Sequence, residues 1–173
     1  MDTSLIDTSI ILEPFTRFKK DMKSYKNAAL ALIRYPQSKN FKPAISMSIL
    51  GELECILNEK ENLIGELSDN REKMKEILNS FFSNCEIIGL KRETIHLAHD
   101  ILREDSRLDP LDIIHFSSAI VGGCKSFIFM DRKLRESEVI KRIAKRNNFN
   151  LIPFNIKENE DKGRIDRNLT WLQ

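Results

Sequence analysis

The sequence predicts a doubly wound α/β domain of three layers, α/β/α, with a central parallel sheet of four to five strands and extra helical elaboration. Two observations carry this. Residues 4–6, 87–90, 127–130 and 151–154 are short runs that are apolar without alternation, the mark of strands covered on both faces. Stretches of helical periodicity separate them, and parallel strands need crossovers of that kind. Residues 44–47 either add a fifth strand or lead into the next helix.

The elements between the strands have readable faces and ends. After Pro14, a favoured first helical residue, Phe15, Phe18, Met22 and Tyr25 form an apolar stripe, and Lys19, Lys20, Lys23 and Lys26 line another, solvated face. Between 48 and 58 the stripe is Ile49, Leu50, Leu53, Ile56 and Leu57. Residues 60–83 read as two helical pieces broken near 68–70, where Asp69 and Glu72 have capping-box spacing. Ile95, Ala98, Ile101 and Leu102 mark the next helix. Asp109 as N-cap, Pro110 behind it and the run 111–121 give a helix that ends at Gly122 and Gly123. The last helix, about 136–146, stops at Asn147 and Asn148. Residues 1–156 form one domain, followed by a charged tail, 157–173, that contains Trp171.

Composition fits one globular domain. A chain of 173 residues buries roughly 70% of the surface its unfolded form exposes, enough for a core without staples. With 28 basic and 26 acidic residues the formal charge is only +2, so overall charge makes no case for nucleic acid. Cys55, Cys85 and Cys124 form no CxxC pair, which argues against a disulfide framework or a thiolate zinc site and fits a reducing compartment. No apolar run approaches the ~20 residues of a membrane span, and no secretory signal opens the chain, so a cytoplasmic location is expected.

Two acids occupy matching places. Asp7 follows the apolar pair Leu5 and Ile6, and Asp131 follows the run 127–130. The carboxyl ends of strands in an open parallel sheet face a common crevice, where converging carboxylates repel unless a cation offsets them. Either residue can instead serve as a helix N-cap, a common use of Asp at a strand-to-helix turn. Asp112 falls at the third position of its helix, where Asp reaches back to the cap less well than Glu and is freer to face the crevice. Its place in the first turn should lower its pKa and keep it ionised. Glu52 and Glu54 flank one apolar stripe, and periodicity does not choose between them.

Taken together these blocks resemble a PIN domain, the metal-dependent nuclease fold of VapC-type toxins, over most of residues 3–155. LIDTSII is similar to the family's opening strand, aspartate and small hydroxyl residue, and so assigns Asp7. AISMSILGELE is similar to the block in which an acid follows a serine by six residues; counted from Ser46, it selects Glu52. LDPLDIIHFSSAI is similar to the aspartate, two residues, histidine and small-residue helix, and assigns Asp112. FIFMDRKL is similar to the strand-end block and assigns Asp131. One departure stands out: Phe129 occupies a position where many members carry Thr or Ser.

The resemblance implies an endoribonuclease that hydrolyses RNA phosphodiester bonds with one or two Mg²⁺ or Mn²⁺ ions held by Asp7, Glu52, Asp112 and Asp131. It also implies the toxin of a toxin–antitoxin pair, an antitoxin partner and a homodimer. Arg132, Lys133 and Arg135 follow Asp131 and can pair with phosphates. The alternative, motivated by Phe129 and the added helices, is a PIN fold that binds RNA or a protein without cutting. His96 and His99 read as surface residues, since neither HExxH nor a nearby Cys supports zinc. His115 reads as a packing residue beside the acids. A haloacid-dehalogenase-type phosphatase would need Asp two residues after Asp7, where Ser9 stands. A receiver domain would need an acidic pair and a phosphoacceptor on separate strands, with a strand-end lysine for which the sequence offers no candidate.

Overall fold

The computed structural model describes residues 2–13, 29, 41–59 and 71–154. Within them β1 (Asp2–Ile6), β2 (Phe41–Ser46), β3 (Glu86–Ile88), β4 (Ser126–Phe129) and β5 (Asn150–Pro153) form one sheet in the order β3-β2-β1-β4-β5. All four pairings are parallel. The helices described are α1 (Thr8–Leu12), α2 (Met47–Glu59), α3 (Arg71–Ser83), α4 (Arg92–Glu104), α5 (Pro110–Val121), α6 (Arg132–Glu136) and α7 (Glu138–Arg146). The chain steps outward from β1 to β3, then crosses back to β4 and β5 on the other side of β1. Right-handed crossovers put the connections of these two halves on opposite faces, which makes the three layers expected from sequence. The reversal falls between β1 and β4, where open α/β sheets form their crevice.

The fifth strand is present, and longer than the run 44–47 suggests. Phe41, Lys42 and Pro43 extend β2 at its start, with Pro43 opposite Ser4 of β1. The first helical stretch after Pro14, the first piece of 60–83 with Asp69, and the 157–173 tail lie outside the described residues.

Aromatic packing ties α5 to the sheet. The Phe116 ring meets Phe127 at 6.2 Å and Phe149 edge-on at 5.8 Å, and Phe127 stacks on Phe129 at 5.4 Å. Phe129 is therefore a core residue of β4, 1% exposed.

Two expectations are corrected. Ile87 is 53% exposed while Ile88 is buried, because side chains alternate along the strand and only the Ile88 face of β3 is covered. The buried stripe of α4 is Thr94, Ala98 and Ile101, and Ile95 is 46% exposed. The last helix stands close to where it is expected, at Glu138–Arg146, and a short helix precedes it: Asp131 starts α6, and Ser137 ends it and caps α7 by accepting from the Ile140 N–H.

Both predicted stops are Schellman motifs. After α5, the Cys124 N–H bonds the Ala119 carbonyl and the Gly123 N–H bonds that of Ile120, with Gly123 at φ +80°. After α7, Phe149 and Asn148 bond Ala144 and Lys145 in the same way, with Asn148 at φ 49°. Gly122 has a different reason to lack a side chain. A Cβ there would lie 2.5 Å from Ile88 Cγ2 and 2.7 Å from the Ser118 carbonyl oxygen. Isoleucine is stiff at χ1 and the carbonyl belongs to the helix, so Gly122→Ala should destabilise by about 1–3 kcal/mol, seen as a lower urea midpoint with an unchanged slope.

A second polar tie joins the end of α4 to the α6–α7 junction. Arg107 grips the buried Asp105 carboxylate with Nε and Nη2, at 2.8 and 2.9 Å, and Ser137 Oγ donates to it at 2.9 Å. Hydrogen bonds from Arg107, opposed by burial and helped by Ser137, hold Asp105 down at about 2 against an ordinary 3.8. A lowered folded-state pKa stabilises above the unfolded value, and that stability is lost as pH falls from about 4 to about 2. Asp105→Asn should thus be less stable than wild type at pH 6, with the gap closing toward pH 2, as urea melts at the two pH values will show.

Candidate metal centre

Asp7 sits where β1 becomes α1, at the sheet's reversal. Its own N–H donates to the Ile128 carbonyl of β4 at 2.9 Å, so the backbone is fixed to both central strands. Its extended backbone makes it the N-cap of α1, and its Oδ2 accepts from the Ser9 N–H and the Ser9 hydroxyl. Its Oδ1 lies 3.0 Å from His115 Nδ1. The residue is 3% exposed. A buried polar group is tolerable only when hydrogen-bonded or paired, and both carboxylate oxygens of Asp7 have partners. The capping and crevice roles, alternatives in the sequence, coexist because different carboxylate oxygens serve them.

Asp109 caps α5 by accepting from the Leu111 N–H at 2.8 Å, with Pro110 behind it, as the sequence predicts. That geometry sets Asp112 in the first turn and His115 one turn on. The expectation that Asp112 has a lowered pKa is wrong. Burial first, then the charges of Asp7, Asp131 and Asp109, push its carboxyl up to about 7, overriding the helix dipole and the partly offsetting His115. The dipole contributes typically 0.3–1 kcal/mol at a helix end, too little against desolvation together with three nearby acids.

Asp7, Asp112 and His115 each offer a ligand atom within 4.8 Å of the others. Glu52, on α2, joins from a second side: Thr8 Oγ1 donates to its Oε2, which is 3.7 Å from His115 Nε2. Glu54 is exposed. Asp131 is the N-cap of α6, accepting from the Leu134 N–H at 2.8 Å, and it reaches the group through its field on Asp112. Glu52 and Asp131 stand outside the tight group of three. Hard divalent cations take carboxylate oxygens, and first-row ions accept imidazole as well, so the donor set fits a magnesium- or manganese-like ion.

The basic residues beside Asp131 are partly engaged. Arg132 Nε pairs with Glu136 at 2.7 Å, and Arg135 lies 3.9 Å from the same carboxylate. Lys19, Lys20, Lys23 and Lys26 lie outside the described residues. His96 and His99 are exposed on α4, one accepting from Arg92 Nε and the other beside Asp100, as surface residues should be.

His115, Thr8 and Ser9 are the contacts that sequence reasoning did not select. A histidine on an apolar helix reads as packing, and its buried position, 1% exposed, agrees. Its spacing of three from Asp112, one helical turn, was the available signal.

A family model described as PIN domain matches residues 4–140. Among solved structures the chain is similar in fold to VapBC2 from Rickettsia felis, whose crystal structure is bound to a DNA fragment from their promoter. The identity is 18% and the TM-score 0.57, over 88% of this chain and 99% of that one. No curated protein matches the chain.

Proposed function

The chain belongs to the PIN domain family, and from that premise we propose that it is a Mg²⁺- or Mn²⁺-dependent endoribonuclease acting through Asp7, Glu52, Asp112 and Asp131. The observation that supports this most is the convergence of Asp7, Asp112 and His115 from two distant parts of the chain. One polar atom of each lies within 4.8 Å of the others, and burial, with the charges of Asp7, Asp131 and Asp109 added to it, pushes Asp112 up to about 7. Such crowding is costly in a protein with no cation to offset it.

The four carboxylates would hold the ion. When bound, it supplies Lewis acidity at the scissile phosphate and a water of lowered pKa. The chain's own groups fix the ligands in advance. Ser9 and His115 hold the two oxygens of Asp7, Thr8 holds one oxygen of Glu52, and the Leu134 N–H holds one of Asp131. Each of these acids is thereby oriented without a side-chain nucleophile. Lys133, exposed beside Asp131, and Arg132, whose exposed pair with Glu136 is weak enough to exchange, give an incoming phosphate two cations. Phe129 packs in the core on Phe127, so this departure from the family pattern is absorbed by aromatic stacking.

The reading extends to an antitoxin partner, which the fold likeness to VapBC2 supports, and to a homodimer. The same family reading carries a cytoplasmic location, and among the described residues no helix is long and apolar enough to cross a membrane. The test is incubation with single-stranded and structured RNA. Cleavage is expected with Mn²⁺ and none with EDTA. Cutting that persists in EDTA would overturn the mechanism, and Mn²⁺ binding without cutting would favour the non-catalytic alternative.

A further inference from the structure

We infer that His115 is a positioning residue that fixes the Asp7 carboxylate by donating to it from Nδ1, without itself ligating the ion. The inference rests on the metal-dependent reading above and assigns a role to a residue outside the four acids. The ring lies between two acids that come from different layers of the fold: Nδ1 is 3.0 Å from Asp7 Oδ1, and Nε2 is 3.7 Å from Glu52 Oε2. It is 1% exposed, so packing on α5 leaves it little freedom to turn.

Chemistry then divides the two nitrogens. An ionised carboxylate only accepts hydrogen bonds, so the nitrogen on Asp7 carries the proton and has no lone pair for a metal. Nε2 is buried and has no hydrogen-bond partner among the described residues. It lies 3.7 Å from Glu52 Oε2, beyond a hydrogen bond, so Glu52 takes its hold from Thr8 and not from the ring. Four carboxylates already supply the oxygen donors that a hard ion prefers, and the ring's contribution is to hold one of them, Asp7.

The same geometry explains why α5 carries both Asp112 and His115. One helix, anchored at its start by the Asp109 cap, presents an acid to the site and one turn later the group that orients an acid from β1. An aliphatic residue at 115 would fill the space and leave Asp7 with Ser9 alone.

The test uses Mn²⁺ titration by calorimetry on the full chain, with thermal melts in EDTA to confirm folding. His115→Leu should weaken Mn²⁺ binding by about ten- to a hundredfold, the usual cost of losing a group that orients a ligand. His115→Asn can place its amide nitrogen where Nδ1 lies and should retain most of the affinity. His115→Gln, whose amide nitrogen falls nearer Nε2, should lose affinity as Leu does. If the Leu variant does not fold, the Asn and Gln pair decides, and equal affinities for these two overturn the inference. Pulsed EPR of the wild-type Mn²⁺ complex should show no directly bonded nitrogen; a bonded-nitrogen coupling makes His115 a ligand and overturns the positioning role. Wild-type affinity in His115→Leu removes the inference alone, whereas a wild type that binds no Mn²⁺ removes the metal reading with it.

Discussion

Asp7→Asn is expected to reduce Mn²⁺-dependent RNA cleavage by on the order of a hundred- to a thousandfold, the several kcal/mol that a metal supplies to the transition state, and to leave the metal-free fold intact. The substitution is chosen because it separates charge from shape. Asn is as good an N-cap as Asp, so α1 keeps its first turn. Its carbonyl oxygen can still accept from Ser9 or from His115, both of which hold Asp7 in the wild type. What disappears is the negative charge, and with it one of the repulsions that raise Asp112. The melting temperature in EDTA should accordingly be unchanged or higher, while rates measured on a fluorogenic RNA fall. A variant that cuts at the wild-type rate would remove Asp7 from the site.

Asp112→Asn should separate the cost of the site from its use. At pH 8 the wild-type carboxyl is ionised although burial and the neighbouring acids oppose it, so the metal-free Asn variant should melt higher than wild type. Mn²⁺ should reverse the order. A ligand present at 100 times its Kd adds about 2.7 kcal/mol to the folded state that binds it. Wild type should gain that stabilisation, and the variant, lacking one of the ligands, should gain little. Scanning calorimetry at fixed pH with and without Mn²⁺ reads both effects. Equal Mn²⁺ stabilisation of the two proteins would exclude Asp112 from the ion, and a lower metal-free melting temperature in the variant would mean that Asp112 is a structural residue.

The strands were legible where both faces are covered, since continuous apolar runs have few other uses. β2 was legible only in part. Its opening Phe-Lys-Pro carries a charge and a proline, and proline usually argues against an interior strand. Ile87 and Ile95 misled for the opposite reason: apolar composition does not say whether another layer covers the face on which a side chain stands. The break at Ser137 could be read afterwards from its capping oxygen, but a single serine inside a charged segment is ordinary. The four acids are nominated by the order of four motif blocks. Spacing alone left Glu52 level with Glu54, and only the fold brings Thr8 and His115 to the first. The pKa of Asp112 was misjudged because the first-turn dipole is visible in sequence, whereas the acids that surround it arrive from β1, β4 and the α5 cap.

The backbone bond from Asp7 to Ile128 has a consequence for how the protein comes into being. It spans 121 residues of sequence, and contacts so distant along the chain close late because the intervening loop must first be made. During synthesis on the ribosome, the first strand therefore emerges long before its partner. The pocket stays unassembled until most of the polypeptide has left the exit tunnel, so whatever chemistry it performs is withheld from the machine that is producing it.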